Sequence, residues 1–222
     1  MKKRFLTSRI PYILERCRGK SVLDIGCAHN DAKHIDNKGW LHREIDKVAK
    51  SLVGLDIEAD AVKYMNELGY TTFVADAQNF DLTDKYPDGF DVIVCGDVIE
   101  HLTNPGDLIK SAMKHLAPNG KVIMSTVNEL GFLYIVETAL LGNETLDDDH
   151  TMAFSRKQIH KFMEKCNCRI TDFYYTNEVG NNRHEWYAKY LYRPIWLVQC
   201  AVSFICPSLS KCMIFTVTQN GA

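Results

Sequence analysis

Asp24, Asp56, Asp76 and Asp97 each close a short apolar run: Val22-Leu-Asp24, Leu52-Val-Gly-Leu-Asp56, Phe73-Val-Ala-Asp76 and Val92-Ile-Val-Cys-Gly-Asp97. A carboxylate at the position of Asp56 can accept two hydrogen bonds from a ribose diol, each charge-assisted and worth roughly 1.5–3 kcal/mol. One at Asp76 can accept from an adenine amino group, beside the backbone N–H of Ala77. Taken singly, each acid is equally well a helix N-cap or a turn former. Four of them ending four consecutive strands would line one edge of a sheet. Gly26 follows Asp24 at a turn, where the lack of a side chain lets the backbone approach a ligand. Proton transfer has two candidates, His101 after the fourth run and His150 after Asp147-Asp-Asp149, because imidazole titrates near neutrality. Each has a plain structural alternative: His101 orienting the helix after Asn104, His150 anchoring its own loop.

Parallel βαβ units are the elements that would gather these acids, and the chain alternates accordingly. Strands are predicted at Ser21–Ile25, Ser51–Asp56, Thr71–Ala75, Phe90–Cys95 and Lys121–Thr126, with two more at Arg169–Tyr175 and Met213–Thr218. Their near-continuous apolarity suits a sheet covered on both faces. Helices fit Pro11–Cys17, Gly39–Val48, Ala59–Leu68, Gly106–Leu116, Leu130–Leu141 and Ser155–Cys166; the third places Ala61, Val62, Met65 and Leu68 on one face. The expectation is a single domain over residues 1–222, with substrate-side insertions at about 127–154 and 180–210.

Composition narrows the partners. The net charge of −2 comes from interleaved acids and bases without a basic stripe, which argues against nucleic acid. The basic Met1-Lys-Lys-Arg4 is not followed by an apolar core, so no signal peptide is read and a cytoplasmic location is expected. Eight cysteines in such a chain read as reduced thiols. The close pair Cys166-Asn-Cys168 lacks a second pair at zinc spacing. Trp186–Leu209 is aromatic and apolar, but its unbroken part, Ile195–Ile205, is too short to span a bilayer. It reads as a packing helix; a substrate lid, a peripheral membrane contact and a homodimer face remain open alternatives.

A dinucleotide site is disfavoured. The pyrophosphate turn G-x-G-x-x-G is represented by Gly26 alone, with Ala28 and Asp31 at the other two glycine positions. The acid of the second strand also follows Asp24 by 32 residues, later than a compact βαβ unit predicts.

Together, VLDIGCAHN, GLDIE, VADAQNF, FDVIVCGDVIEHLTNP and LAPNGKVIMSTVN resemble, in order, the motifs of the class I S-adenosylmethionine-dependent methyltransferase family. The resemblance is close from Ser21 to Thr126. It implies an α/β, Rossmann-like methyltransferase fold: seven strands, mostly parallel with an antiparallel last strand, and helices on both faces. It also implies S-adenosylmethionine as cofactor, with Asp56 on the ribose, Asp76 and Ala77 at the adenine, Gly26 near the methionine portion, and Gly96 and Asp97 near the sulfonium. The expected cofactor set is Asp24, Gly26, Cys27, His29, Asp56, Ile57, Asp76, Ala77, Gly96 and Asp97.

The first motif lacks its later glycines, and Ala28–Lys50 is longer than usual, so His29, Asn30 and Arg43 are the candidates for the methionine carboxylate. A narrower resemblance, carried by WLHR, EHLTNP and His150-Thr-Met-Ala-Phe-Ser155, is to methyltransferases of bacterial polysaccharide and glycan pathways. It implies O-methylation of a sugar, glycan precursor or related small metabolite, with His101 or His150 as base and Glu100 as an alternative to them. Two other readings stand beside it: N-methylation of a small amine or amino sugar, and a non-catalytic S-adenosylmethionine-binding module. Asp147–His150 offers oxygen ligands to Mg²⁺, but a solvated acidic loop is the simpler account, and no metal is expected.

Overall fold

The apolar runs form strands near their predicted positions, although the fifth begins at Leu116 rather than Lys121 and takes the last residue of the predicted helix, and most connections between them are helical. A computed structural model describes residues 5–28, 39–142, 148–177 and 197–220. In chain order the elements are β1 (Phe5–Leu6), α1 (Ile10–Cys17), β2 (Ser21–Ile25), α2 (Leu41–Asp46), β3 (Ser51–Asp56), α3 (Ala59–Glu67), β4 (Thr72–Val74), β5 (Phe90–Gly96), α4 (Pro105–Lys114), β6 (Leu116–Val127), α5 (Phe132–Leu141), α6 (Arg156–Lys165), β7 (Cys168–Thr176) and β8 (Cys212–Gln219). Residues 197–205 are also helical.

The strands make one sheet in the order β1-β7-β8-β6-β5-β2-β3-β4. β8 runs antiparallel to both its neighbours, as expected of the last strand, and the other pairings are parallel. The eighth strand, absent from the sequence expectation, is the two-residue β1, which pairs Phe5 with Tyr175 and Leu6 with Thr176 at the sheet's edge. A two-residue run has no periodicity to detect, so only the partner strand reveals it.

Alternation along β2 divides the core. Leu23 and Ile25 pack on the face covered by α4 and α6, through Leu108, Ile109, Ile159 and Met163. Val22 packs on the opposite face with Ile13 of α1 and Ile45 of α2. On α3, Ala61, Val62 and Met65 are buried as expected, but Leu68 is not: it is the C-cap and stays exposed. Gly69 then turns the chain out with φ +92°. All eight cysteines are free thiols. Among the described residues, no helix is long and apolar enough to cross a membrane.

Of the aromatic and apolar segment, residues 186–196 lie outside the described part of the chain. Its visible helix, 197–205, turns Gln199 and Ser203 inward and leaves Leu197, Val198, Phe204 and Ile205 exposed. Gln199 is the tie. Its Nε2 donates to Ser203 Oγ (2.8 Å) and the Leu209 carbonyl (2.9 Å), and its Oε1 accepts the Leu133 N–H of α5 (3.2 Å). Replacing a buried, fully engaged amide by a hydrocarbon strands those partners. Gln199→Leu is therefore expected to destabilise the protein by about 1–3 kcal/mol in urea melts. A loss under about 0.5 kcal/mol, the size of a neutral surface change, would show that this network does not secure the helix.

Candidate active site

Parallel pairing brings the C-terminal ends of β2, β3, β4 and β5 to one edge of the sheet, where a cleft of about 270 Å³ opens. It lies at the switch point of the strand order, between β2's two neighbours. Asp24, Gly26, Cys27, Asp56, Ile57, Asp76, Ala77, Gly96 and Asp97 all line it. His29, the remaining residue of the expected cofactor set, lies outside the described residues, as does Asn30. His101 lines the cleft as well, and the ring of His150 packs edge-on against it with centroids 4.7 Å apart.

Backbone geometry explains the turn after β2. Gly26 has φ +75°, and a Cβ there would stand 2.5 Å from Val98 Cγ2. Both constraints select glycine and leave the backbone bare toward the cleft. Asp56, at the end of β3, is buried and closes the turn from the other side. Its Oδ2 accepts the Ala28 N–H (2.8 Å) and its Oδ1 the Glu58 N–H (3.1 Å). A carboxylate has about four lone-pair directions, so half its acceptor capacity remains. Asp76 is exposed and folds into a local turn by accepting the Gln78 N–H at 2.8 Å.

Asp24 is buried and pairs with His42 Nδ1 at 2.9 Å. The nitrogen facing a carboxylate carries a proton. His42 also lines the cleft, and its buried Nε2 has no hydrogen-bond partner among the described residues. Trp40 braces this corner: its indole N–H donates to the Cys27 carbonyl (2.8 Å), and its ring lies tilted against His42 and edge-on to Tyr70, both with centroids 5.3 Å away. Burial, then the charges of Asp24 and Asp56, hold the Cys27 thiol well above its usual range, so it is a neutral wall.

Asp97 sits in the left-handed region with φ 55°, a conformation uncommon outside glycine. Its N–H donates to the Ser125 carbonyl (3.1 Å), and Ser125 Oγ donates to its carboxylate (3.0 Å). Arg9, from the start of α1, forms an ion pair with the same carboxylate. Glu100 and His101 belong to a 3-10 turn, Ile99–His101, directly after β5. Glu100 stands in the first turn of that segment, and its side chain is completely buried. Burial first, and the Asp97 carboxylate second, push its carboxyl up to about 8.

Arg9, Trp40 and His42 are lining residues that sequence reasoning did not select. Trp40 and His42 lay in the WLHR stretch, and a histidine beside a tryptophan near the first motif was their only signal. Arg9 carried none, since it follows other basic residues. Arg43, a candidate for the methionine carboxylate, does not line the cleft; its guanidinium lies over the Trp40 ring at 5.7 Å.

Comparison with known proteins agrees with this geometry. A family model described as a methyltransferase domain matches residues 2–172. A ubiquinone biosynthesis O-methyltransferase of Proteus mirabilis is 30% identical over 128 residues, covering 54% of this chain and 48% of that protein. One of Pseudomonas fluorescens is 30% identical over 146 residues, covering 61% and 56%. The chain thus spans about half the length of these curated relatives. Among solved structures, an S-adenosylmethionine-dependent methyltransferase from Clostridium acetobutylicum superposes with a TM-score of 0.60 at 14% identity, over 96% of this chain and 91% of that one. Another from Mesorhizobium loti gives 0.59 at 16% identity, over 94% of each. These likenesses establish a Rossmann-like methyltransferase fold, and the family match across residues 2–172 establishes that the chain belongs to the methyltransferase-domain family.

Proposed function

We propose that this chain transfers a methyl group from S-adenosylmethionine to a hydroxyl of a small acceptor with an apolar skeleton. The observation that carries the reading is the convergence of Gly26, Asp56, Asp76 and Asp97, from the ends of separate strands, on one cleft.

The residues present fit the cofactor. The bare backbone at Gly26 leaves room that any side chain would fill. The spare acceptor sites of Asp56 suit a ribose diol. The unpartnered Nε2 of His42 is a buried polar atom that a polar ligand would satisfy. Asp76 and Ala77 stand on the adenine side. Arg9 is the guanidinium lining the cleft, and it is assigned here to the methionine carboxylate in place of Arg43. Bound S-adenosylmethionine supplies an electrophilic methyl group on sulfur. The protein's part is to hold the acceptor oxygen in line with that group and to help it lose its proton. His101, in the cleft and backed by His150, is the group through which that activation runs.

The acceptor side is apolar. α5 follows directly on β6, the neighbour of β5, and so leaves the sheet at the edge where the cleft opens. Leu130 and the α5 residues Ile135 and Leu140, with Leu197, Val198, Phe204 and Ile205 of the helix bonded to α5 through Gln199, expose hydrocarbon, and we assign this face to the acceptor. The names of the ubiquinone-pathway relatives favour O-methylation of an apolar hydroxylated compound. The sugar or glycan acceptor expected from the narrower resemblance draws no support from them.

Calorimetry should detect S-adenosylmethionine binding and no NAD binding; the reverse result would remove the methyltransferase reading. Asp56→Ala is expected to weaken the cofactor Kd by about a hundredfold, the loss of roughly 3 kcal/mol of charge-assisted bonding. An unchanged Kd would remove Asp56 from the ribose. His101→Ala should lower kcat by about a hundredfold while the cofactor Kd stays within twofold. Equal turnover in that variant would exclude the imidazole. With methyl-labelled cofactor, hydroxylated aromatics should be labelled in preference to nucleotide sugars and amines. Labelling of sugars alone would restore the glycan acceptor, and labelling of amines alone the N-methyl one. Binding without any transfer would favour a non-catalytic module.

A further inference from the structure

We propose that Glu100, His101 and His150 form a binding site for one divalent transition-metal ion at the mouth of the cleft. One ligand atom from each of the three lies within 4.8 Å of the others. Around an ion with metal–ligand distances of 2.0–2.2 Å, tetrahedral ligand atoms stand about 3.4 Å apart. The three side chains therefore reach an ion by closing up to about 1.4 Å, a movement within the range of their χ angles.

Three further observations point to a ligand. First, Glu100 is completely buried, and its carboxyl makes no hydrogen bond of good geometry among the described residues, the donors nearest it being Thr126 Oγ1 and the backbone N–H groups of Glu100 and Val127. A buried carboxyl so weakly held is rare because its desolvation is poorly compensated, and a cation beside it supplies what is missing. Second, His101 Nδ1 faces the Asp149 carbonyl at 3.2 Å. A carbonyl can only accept, so Nδ1 carries the proton and Nε2 keeps the lone pair. This is the arrangement in which outer-shell partners set metal-binding histidines.

Third, the chain joins the two halves of the cluster by backbone bonds. The Glu100 carbonyl accepts the Thr151 N–H (2.9 Å), the Met152 N–H (3.2 Å) and Thr151 Oγ (3.0 Å). Thr151 Oγ also bonds the Leu102 carbonyl at 2.7 Å. Segments about fifty residues apart are thus fastened through Glu100 itself, through Leu102 beside His101, and through Thr151 beside His150. Two imidazoles and one carboxylate are a donor set for Mn²⁺, Fe²⁺, Co²⁺ or Zn²⁺ rather than for the all-oxygen preference of Mg²⁺ or Ca²⁺. Three protein ligands leave coordination positions open, and His101 places the ion against the cleft.

The ion's use rests on the methyltransferase reading, but its binding does not. An acceptor hydroxyl coordinated to the ion becomes more acidic and releases its proton to solvent. Its oxygen forms the new bond to the methyl carbon as the carbon–sulfur bond breaks and the electron pair passes to sulfur.

The test titrates chelator-stripped full-length protein with Mn²⁺ and with Co²⁺, read by calorimetry, by Mn²⁺ electron paramagnetic resonance and by the Co²⁺ visible spectrum. One ion should bind per chain. Glu100→Gln, close in shape to the protonated acid, and His150→Ala should each weaken binding at least tenfold, with far-UV circular dichroism and cofactor Kd unchanged. Absence of stoichiometric binding by the unmodified chain, or equal binding by both variants, overturns the proposal. If the ions fail to bind while cofactor binding and methyl transfer persist, the metal site falls and the methyltransferase reading stands. If the ions bind one per chain and the cofactor does not, the converse holds.

Discussion

β2 is hydrogen-bonded in parallel on both sides, Asp24 lying opposite Gly54 of β3 and Val94 of β5. Everything at the site depends on that pairing. Parallel strands end together, so whatever follows each of them reaches the same edge. The connections from β2 and β5 then leave in opposite directions, β2 to β3 and β4, β5 to β6, and a crevice opens between them. The cleft is a consequence of connectivity, and the residues after the strands line it because no other position is available to them.

Carboxylates concentrated at one edge would repel one another and lose hydration, and the structure answers that cost for each separately. Asp24 has the imidazole of His42. Asp56 has two backbone amides, which also hold the turn after β2 in shape. Asp97 has Arg9 and the Ser125 hydroxyl. Glu100 is the exception: it is buried beside Asp97, and that burial raises its carboxyl. A compensated carboxylate is a rigid acceptor, suited to a cofactor that must lie in one pose. A weakly compensated one is an opening for a charged ligand.

How much of this was legible in the sequence depended on whether the signal was local. The strand ending at Asp56 and the helix from Ala59 are read from periodicity within a few residues, and both appear where expected. Gly26 was legible as a turn glycine, although the clash with Val98 that makes it obligatory was not. Leu68 misled because its spacing continues the buried face while its position, at the last turn, exposes it. β1 was invisible because two residues carry no pattern. Arg9 was invisible because its partner, Asp97, is 88 residues away.

The sequence by itself determined the order of strands and helices and the four acids at strand ends, because each depends on residues within one βαβ unit; the cofactor class it carried only through the resemblance of five motifs, in order, to a known family. Only the tertiary structure decided which of those groups remain available. It spent part of Asp56 on backbone amides, tied Asp24 to a histidine from the insertion, and set Arg9 over Asp97. It also folded the segment after Asp149 back onto the turn after β5, so that Glu100, His101 and His150 meet. Such meetings are long-range contacts, fixed by burial and backbone hydrogen bonding between segments whose local patterns are independent.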